Sequence, residues 1–492
     1  MSAVTSEIRT GLFIAGEARP GEDHFPVYDP ADSSQVIGHA AKATTEQAKA
    51  AVRAARAAFP AWSALTPHER AELILAALEP LAADHDDRAL LLSRENGKTV
   101  FESSLDIQVL GARFHLAAGL ADQLAEPKTI EGKPLPQAPL SFHTTVERVA
   151  IGVVSIIVPF NWPLAILGAS LPYALVAGNT TIVKAPPTTP LSFVRTLEII
   201  AAQLPPGVLN VVSGTDDVLG PVLIQDPDVN KISFTGSVRA GKLIAGMAAE
   251  GLKRVSLELG GNDPAVFLED ADLGGDAFHR IDLGAFLTTG QVCMAAKRVY
   301  VHESRYDELV EGLSAELAKH RLGRGQAEGT TMGPLNSARQ KEIVEELVAD
   351  ARANGAEVRE FGEGDEAELA KGNFLKPSIV LKPAQDSRIV QEEQFGPTLP
   401  IVTFKTDEEA IALANDTWSG LASSVWSADL EHANAVAAQL RAGTTWINAH
   451  NAPWLDERAP FGGFNQSGIG REMGVEGLFG FTETHSTMRT AG

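Results

Sequence analysis

The sequence predicts an α/β protein made of two doubly wound domains and a small β arm. Three observations carry that prediction. Apolar, β-rich runs alternate with helical patterns through residues 149–259. The same rhythm restarts after Cys293, and the proline-broken stretch "GKPLPQAPLSFHTTVERVA" fits neither run. Regular alternation of this kind implies mostly parallel sheets covered on both faces. With 492 residues, 44% of them apolar, the chain can bury more than one core.

Along the chain, the opening "MSAVTSEIRTGLFIAGEARPGEDHF" has no basic end leading into a long apolar stretch, so it does not read as a secretory signal. After a short extended lead, "TTEQAKAAVRAARAAF" places Ala48, Val52, Ala55 and Phe59 on one helix face. In "TPHERAELILAALEPL", Thr66 is the N-cap, Pro67 the first helical residue and Glu69 the partner in a capping box. "ENGKT" ends that helical pattern. The proline-broken arm follows, and an arm outside both cores predicts subunit contact. Residues 149–176 carry no charge, but Pro159, Asn161 and Pro163 interrupt them, so a buried strand, a turn and a buried helix are expected instead of a membrane span. Strands are predicted at "AIGVVSIIVP", "TTIVKAP", "GVLNVVSG", "KISFTG" and "RVSLELGG", with helices at 190–204 and 238–249. In the second domain, strands are predicted at "RVYVHE", "NFLKPSIVL", "LPIVTFK" and "GTTWINA", and helices at "RYDELVEGLSAELAKH" and "ARQKEIVEELVADARANG".

Composition narrows the function. A formal charge of −22 repels phosphate backbones and anionic membranes, which argues against nucleic-acid and membrane partners. One cysteine excludes a disulfide framework and a cysteine-rich metal site, and suits the cytoplasm. No metal is expected.

Four stretches bear chemistry. "KISFTGSVRAG" ends a strand at Gly236 and starts a helix at Ser237, where free amides attract a phosphate, although an ordinary capped turn reads the same way. Gly236 is expected to permit a tight turn and Gly241 close helix packing. Glu258, inside an apolar strand, is either a salt-bridge member or a general base. Asn161 in "PFNWP" either caps a helix or donates to an oxyanion. Cys293 is either a small core residue or a nucleophile.

Taken in order, "PFNWP", "KAPPTTP", "FTGSVRAG", "LELGGNDP", "GQVC", "EEQFGP" and "PFGGFNQSGIGRE" resemble the motifs of the NAD(P)-dependent aldehyde dehydrogenase superfamily, from about Gly11 to the C-terminus. The resemblance implies a Rossmann-like cofactor domain (1–127 and 149–259), an α/β catalytic domain (260–440), a return segment lining the active site (441–472), and a β oligomerisation arm (128–148 and 473–492). It implies that Cys293 attacks the aldehyde, that Asn161 holds the oxyanion, that Glu258 activates water against the thioester, and that Glu472 relays protons. The cofactor residues it implies are Pro159, Phe160, Lys184, Pro187, Gly214, Phe234, Thr235, Gly236, Ser237, Gly260, Glu393 and Phe395. Trp162, Phe286, Val292 and Trp454 are expected to line the substrate pocket, for an aromatic or medium-chain aldehyde. Arg458 keeps a semialdehyde open as the alternative substrate; transfer to CoA is a lesser alternative, since Glu258 favours hydrolysis to the free acid. A homodimer or homotetramer is implied.

Three positions depart from the family pattern. Pro187 stands where strongly NAD-preferring relatives often have a glutamate, so NAD and NADP are both expected, NAD first. Ser170 and Asn465 each replace a usual lysine. Two other classes fit the sequence less well. A redox-free esterase does not need the "FTGS" turn or "EEQFGP", and a silent scaffold does not need Cys293, Glu258 and Asn161 together.

Overall fold

The computed structural model describes residues 8–132, 137 and 140–491. The first residues of the lead, parts of the arm (133–136 and 138–139) and residue 492 lie outside the described residues. The first sheet has a parallel core, in the spatial order Arg254–Leu259, Val229–Gly236, Val153–Ile157, Thr180–Lys184 and Leu209–Val212. The chain enters at Val153–Ile157, lays two strands to one side, and then returns to lay two on the other. The strand order therefore reverses between Val153–Ile157 and Val229–Gly236, and the crevice beyond their C-terminal ends is where doubly wound sheets take ligands. Asn161 and Ser237 follow those two strand ends. Both Thr180–Lys184 and Leu209–Val212 are buried throughout, as strands covered on both faces must be.

The second sheet runs Glu357–Glu360, Ser378–Leu381, Thr398–Phe404, Ala296–His302, Asp263–Phe267, Ala422–Trp426 and Thr444–Ile447, all parallel except the first. Two of its interior strands, Asp263–Phe267 and Ala422–Trp426, were not legible in the sequence. Pro264 and the small residues of "ASSVW" hide their β character, and burial between neighbours supplies it. The arm is a three-stranded antiparallel sheet of Lys128–Gly132, Ser141–Ala150 and Thr482–Ala491. A further small sheet, Ile8–Thr10 with Asp32–Lys42 and Asp23–Asp29, replaces the expected short lead.

The helices follow their capping signals. Thr66 and Glu69 form the expected capping box, and Thr99 with Glu102 forms another. The pattern break at "ENGKT" is Gly97 in the left-handed conformation, followed at once by that second cap. Helix Thr45–Ser63 buries Ala48, Val52 and Ala55 but leaves Phe59 half-buried. It continues through Pro60 to Trp62, whose Nε1 donates to the Leu175 carbonyl at 3.1 Å. The uncharged run resolves into strand Val153–Ile157 and helix Pro163–Val176; among the described residues no helix is long and apolar enough to cross a membrane.

Candidate active site

Four strand ends and loops converge on one cavity of about 410 Å³. Glu258 comes from the end of strand Arg254–Leu259, in register with Thr235. Asn161 comes from the turn after Val153–Ile157, and Cys293 from the loop before Ala296–His302. Glu472 comes from the return segment, where its backbone pairs with Phe461. All four line the cavity, together with Thr235, Trp162 and Val292. The rest of the wall is largely apolar: Leu105 and Val109 from helix Val100–Ala118, then Ile166, Met294 and Leu455. Phe286 and Trp454 do not line it. Phe286 ends its helix inside the core of the second sheet. Trp454 packs with Ala422 and Trp446, and its neighbours Pro453 and Leu455 face the cavity instead. Arg458 is also absent from the wall; it is exposed and held by Asp456.

The loop leading to Cys293 is strained. Thr288, Thr289 and Gly290 have φ of 53°, 57° and 72°. Left-handed non-glycine residues cost of order 1–3 kcal/mol each unless neighbours hold them. Glu102 holds Thr288: its Oε1 accepts from the Thr288 amide at 2.7 Å and from its hydroxyl at 3.2 Å. Trp162 Nε1 donates to the same hydroxyl at 3.0 Å. Gly290 has to be glycine for a further reason, since a Cβ there would lie 2.3 Å from the Gly396 carbonyl oxygen. Asn161 Nδ2 donates to the Gln291 carbonyl at 2.9 Å, which ties the asparagine to the cysteine loop and leaves its second N–H for another acceptor.

A fully buried ion pair lies behind these contacts. Lys98 Nζ is 2.6 Å from Asp106, donates to the Asn161 carbonyl at 3.0 Å, and sits 4.4 Å from the Trp162 ring centre. Asp106 Oδ1 accepts from the Ala165 amide at 2.6 Å, in the first turn of helix Pro163–Val176. None of Lys98, Glu102 or Asp106 was singled out from the sequence. The signal was present as two acids four residues apart, Glu102 and Asp106, on the helix face shared with Leu110 and Phe114.

The electrostatics are dominated by burial. Both carboxylate oxygens of Glu258 are buried without a partner. Burial and the nearby Glu472 push its pKa well above the ordinary carboxylate value, with Arg471 opposing. Burial also raises Glu472, which is partly offset because its Oε1 accepts from Ser170 at 2.6 Å and from Ser233 at 3.4 Å. Ser170 is thus a hydrogen-bond donor to Glu472. The Cys293 thiol is pushed up to about 12 by burial and by Glu393, Asp263 and Glu258, with Lys297 opposing. Asn465 occupies a left-handed position (φ 51°), which asparagine tolerates and lysine does not favour; its Nδ2 donates to the Ser419 carbonyl.

Several of the residues expected to hold the cofactor stand at the strand ends beside this cavity. Ser237 caps helix Val238–Glu250 and accepts from the Ala240 amide, which leaves the first-turn amides to face an anion. Gly236 is not left-handed; it is needed because a Cβ would meet the Phe234 ring at 2.5 Å. Gly241 likewise lets its helix approach Leu259. A Cβ on Gly260 would lie 2.1 Å from Glu393, whose buried Oε1 has no partner and whose pKa burial raises to about 7. Phe395, at φ 48°, meets Phe160 edge-on at 6.1 Å, next to Pro159. Gly214 (φ 149°) abuts Ala43. Lys184 ends its strand paired with Asp216 at 2.7 Å, a partner the sequence did not suggest. Pro187 is exposed and borders a separate cavity with Tyr28 and Ser337.

Replacing Glu102 by alanine orphans the Thr288 amide and the Thr99 cap. The expected loss is about 1–3 kcal/mol in denaturant unfolding, with faster iodoacetamide labelling of Cys293. Wild-type values on both measures would show that the Glu102 contacts do not hold the loop.

The chain resembles known proteins over most of its length. Residues 17–487 match the model of the aldehyde dehydrogenase family. Betaine aldehyde dehydrogenase of Bacillus subtilis is 37% identical over 484 residues, covering 97% of each chain. Phenylacetaldehyde dehydrogenase of Pseudomonas fluorescens is 35% identical over 465 residues, 94% of this chain and 91% of that one. The structure of Staphylococcus aureus betaine aldehyde dehydrogenase in complex with NAD+ superposes with a TM-score of 0.91 at 32% identity, covering 98% of this chain and 94% of that one. The chain belongs to the aldehyde dehydrogenase family.

Proposed function

We propose that this NAD(P)-dependent aldehyde dehydrogenase oxidises an uncharged, apolar aldehyde, aromatic or of medium chain length, to the free carboxylic acid. The observation that carries the reading is a single cavity in which Cys293, Asn161 and Glu258 meet among largely apolar walls. The Cys293 sulfur, once deprotonated, attacks the carbonyl carbon and forms a thiohemiacetal. The free Asn161 N–H and the Cys293 amide receive the developing oxyanion. Phe160, Ser237, Glu393 and Phe395 at the strand ends would hold NAD(P)+, which when bound would supply the hydride acceptor for oxidation of this adduct to a thioester. Glu258, once ionised, is a stronger proton acceptor than an ordinary carboxylate because burial raises its pKa; it draws a proton from water, and the hydroxide cleaves the thioester, releasing the acid and the Cys293 thiolate. Ser170 and Ser233 hold Glu472 in position to pass that proton on. A carboxylate at position 258 favours water over CoA. The wall supplies no free arginine for a semialdehyde, and its apolar lining suits a phenylacetaldehyde-like substrate better than a quaternary ammonium one.

With an aldehyde panel and either cofactor, absorbance of the reduced nicotinamide is expected to rise, and Cys293→Ala is expected to abolish it. Glu258→Gln is expected to give a burst near one equivalent followed by turnover slowed about a hundredfold or more. Undiminished steady-state turnover in either variant would remove that residue from the mechanism.

Cofactor choice follows from the charges near the adenosine end. Pro187 presents no carboxylate to a 2′-phosphate, so NADP is used as well as NAD. Asp216 already neutralises Lys184, so NAD is used better. Asp216→Asn frees the lysine and is expected to raise the NADP-to-NAD ratio of kcat/KM about tenfold; an unchanged ratio would place the discrimination elsewhere. We assign the first sheet to the cofactor and the second to catalysis. The arm we assign to a homodimer or homotetramer, because Ser141–Ala150 and Thr482–Ala491 form a long ribbon outside both main sheets. Sedimentation of the full chain as an oligomer is expected; a monomer at micromolar concentration would refute the assignment.

A further inference from the structure

We propose that the ion pair between Arg113 and Glu457 is the charge filter of the substrate cavity, and that each half is a latent selector for the opposite charge. The inference rests on the aldehyde-oxidising reading and goes beyond it by naming the residues that exclude charged substrates. Helix Val100–Ala118 presents Phe101, Leu105, Val109 and Arg113 to the cavity at four-residue steps, so an apolar stripe ends in a guanidinium. Glu457, from the return segment, lines the same wall. Its two oxygens receive Arg113 Nε at 3.1 Å and Nη2 at 2.9 Å, and Nη1 donates to the Ala165 carbonyl at 2.6 Å. The guanidinium is therefore spent on a two-point carboxylate contact and a backbone oxygen. The side chains are only 8% and 25% exposed.

A substrate carboxylate entering this wall would have to displace Glu457 from a geometry it matches at both oxygens, and a substrate cation would have to displace Arg113. Neither charged group gains enough to do so, whereas an apolar chain meets only a neutral, satisfied pair. The two residues flanking Glu457 repeat the pairing outside the cavity: Asp456 binds Arg458 at 2.8 Å through both oxygens. In "WLDER" both acids are committed to arginines, and the only arginine on the cavity wall is masked by one of them.

The test compares kcat/KM for pentanal, glutarate semialdehyde and betaine aldehyde. Wild type is expected to prefer pentanal over both charged aldehydes. E457Q exposes the cation and is expected to raise the semialdehyde-to-pentanal ratio about tenfold or more, while R113Q exposes the anion and raises the betaine-aldehyde-to-pentanal ratio. R113K keeps both charges and loses only the planar contact, so it serves where an unpaired charge costs the fold; it too is expected to raise the semialdehyde ratio, by a smaller factor. Unchanged ratios in the variants that fold, or a wild type that takes glutarate semialdehyde as well as pentanal, would overturn the filter. If no aldehyde is turned over by the wild type, the oxidation reading fails instead. Calorimetric binding of glutarate to E457Q against wild type then tests the filter without turnover: tighter binding supports it and equal binding overturns it.

Discussion

The buried ion pair between Lys98 and Asp106 is the contact on which the geometry of the site depends. Taking two ions fully out of water costs several kcal/mol each, and their attraction alone rarely returns a net gain. The return here is positional. Lys98 fixes the carbonyl of Asn161, and Asp106 caps the helix that starts two residues later. Helix Val100–Ala118, which carries Asp106, also carries Glu102 one turn earlier, and Glu102 holds the left-handed Thr288. Asn161 and Cys293 belong to different sheets, and this single helix fastens both of their loops. The Asn161–Gln291 hydrogen bond then sets their spacing directly.

The charges around the thiol form a second constraint. Glu393, Asp263 and Glu258 all repel a thiolate, and the buried Lys297 opposes them. Burial in turn raises each of these carboxylates, so each holds its proton to higher pH than a free acid would. The two effects limit each other. A protonated Glu258 repels the thiolate less, and a thiolate keeps Glu258 protonated longer. Cys293 and Glu258 therefore share a proton economy, and ionising one of them raises the pKa of the other. Such a site favours a neutral thiol at rest and releases a proton only when a partner able to take charge arrives.

Much of this was legible in the sequence and some was not, for physical reasons. Capping boxes are local, so Thr66 and Glu69 announce their helix directly. Cys293 stood out as the only cysteine, Glu258 and Asn161 as polar groups in or at the end of apolar strands, and the order of seven motifs along the chain made the family resemblance. Glu102, Asp106 and Arg113 were lost because a charged residue in a helix normally reads as its solvated face. Only the packing shows that this face is buried. Phe286 illustrates the converse: an aromatic seven residues from the nucleophile has the right chemistry, but the helix phase turns it into the core of the second sheet. Asp216 escaped because its partner Lys184 lies on a neighbouring strand-to-helix turn, and no spacing rule connects them.

The return segment shows why "PFGGFNQSGIG" is rich in glycine. A Cβ on Gly462 would stand 2.7 Å from Glu258 Oε1, and a Cβ on Gly443 would stand 1.7 Å from the Gly462 carbonyl oxygen. A Cβ on Gly468 would reach the Leu257 carbonyl oxygen at 2.2 Å. The segment thus lies against the end of strand Arg254–Leu259 with no side chain between them, and pairs with it through Gly468–Ile469. That contact adds to the burial that, with the nearby Glu472, raises the Glu258 pKa. A bulkier residue at Gly462 has two outcomes. It turns the carboxylate away from the cavity, or it lifts the segment and lets solvent in, returning Glu258 toward an ordinary acid that accepts protons poorly. The return segment therefore tunes the base twice, through its backbone against the strand end and through the opposed charges of Glu472 and Arg471.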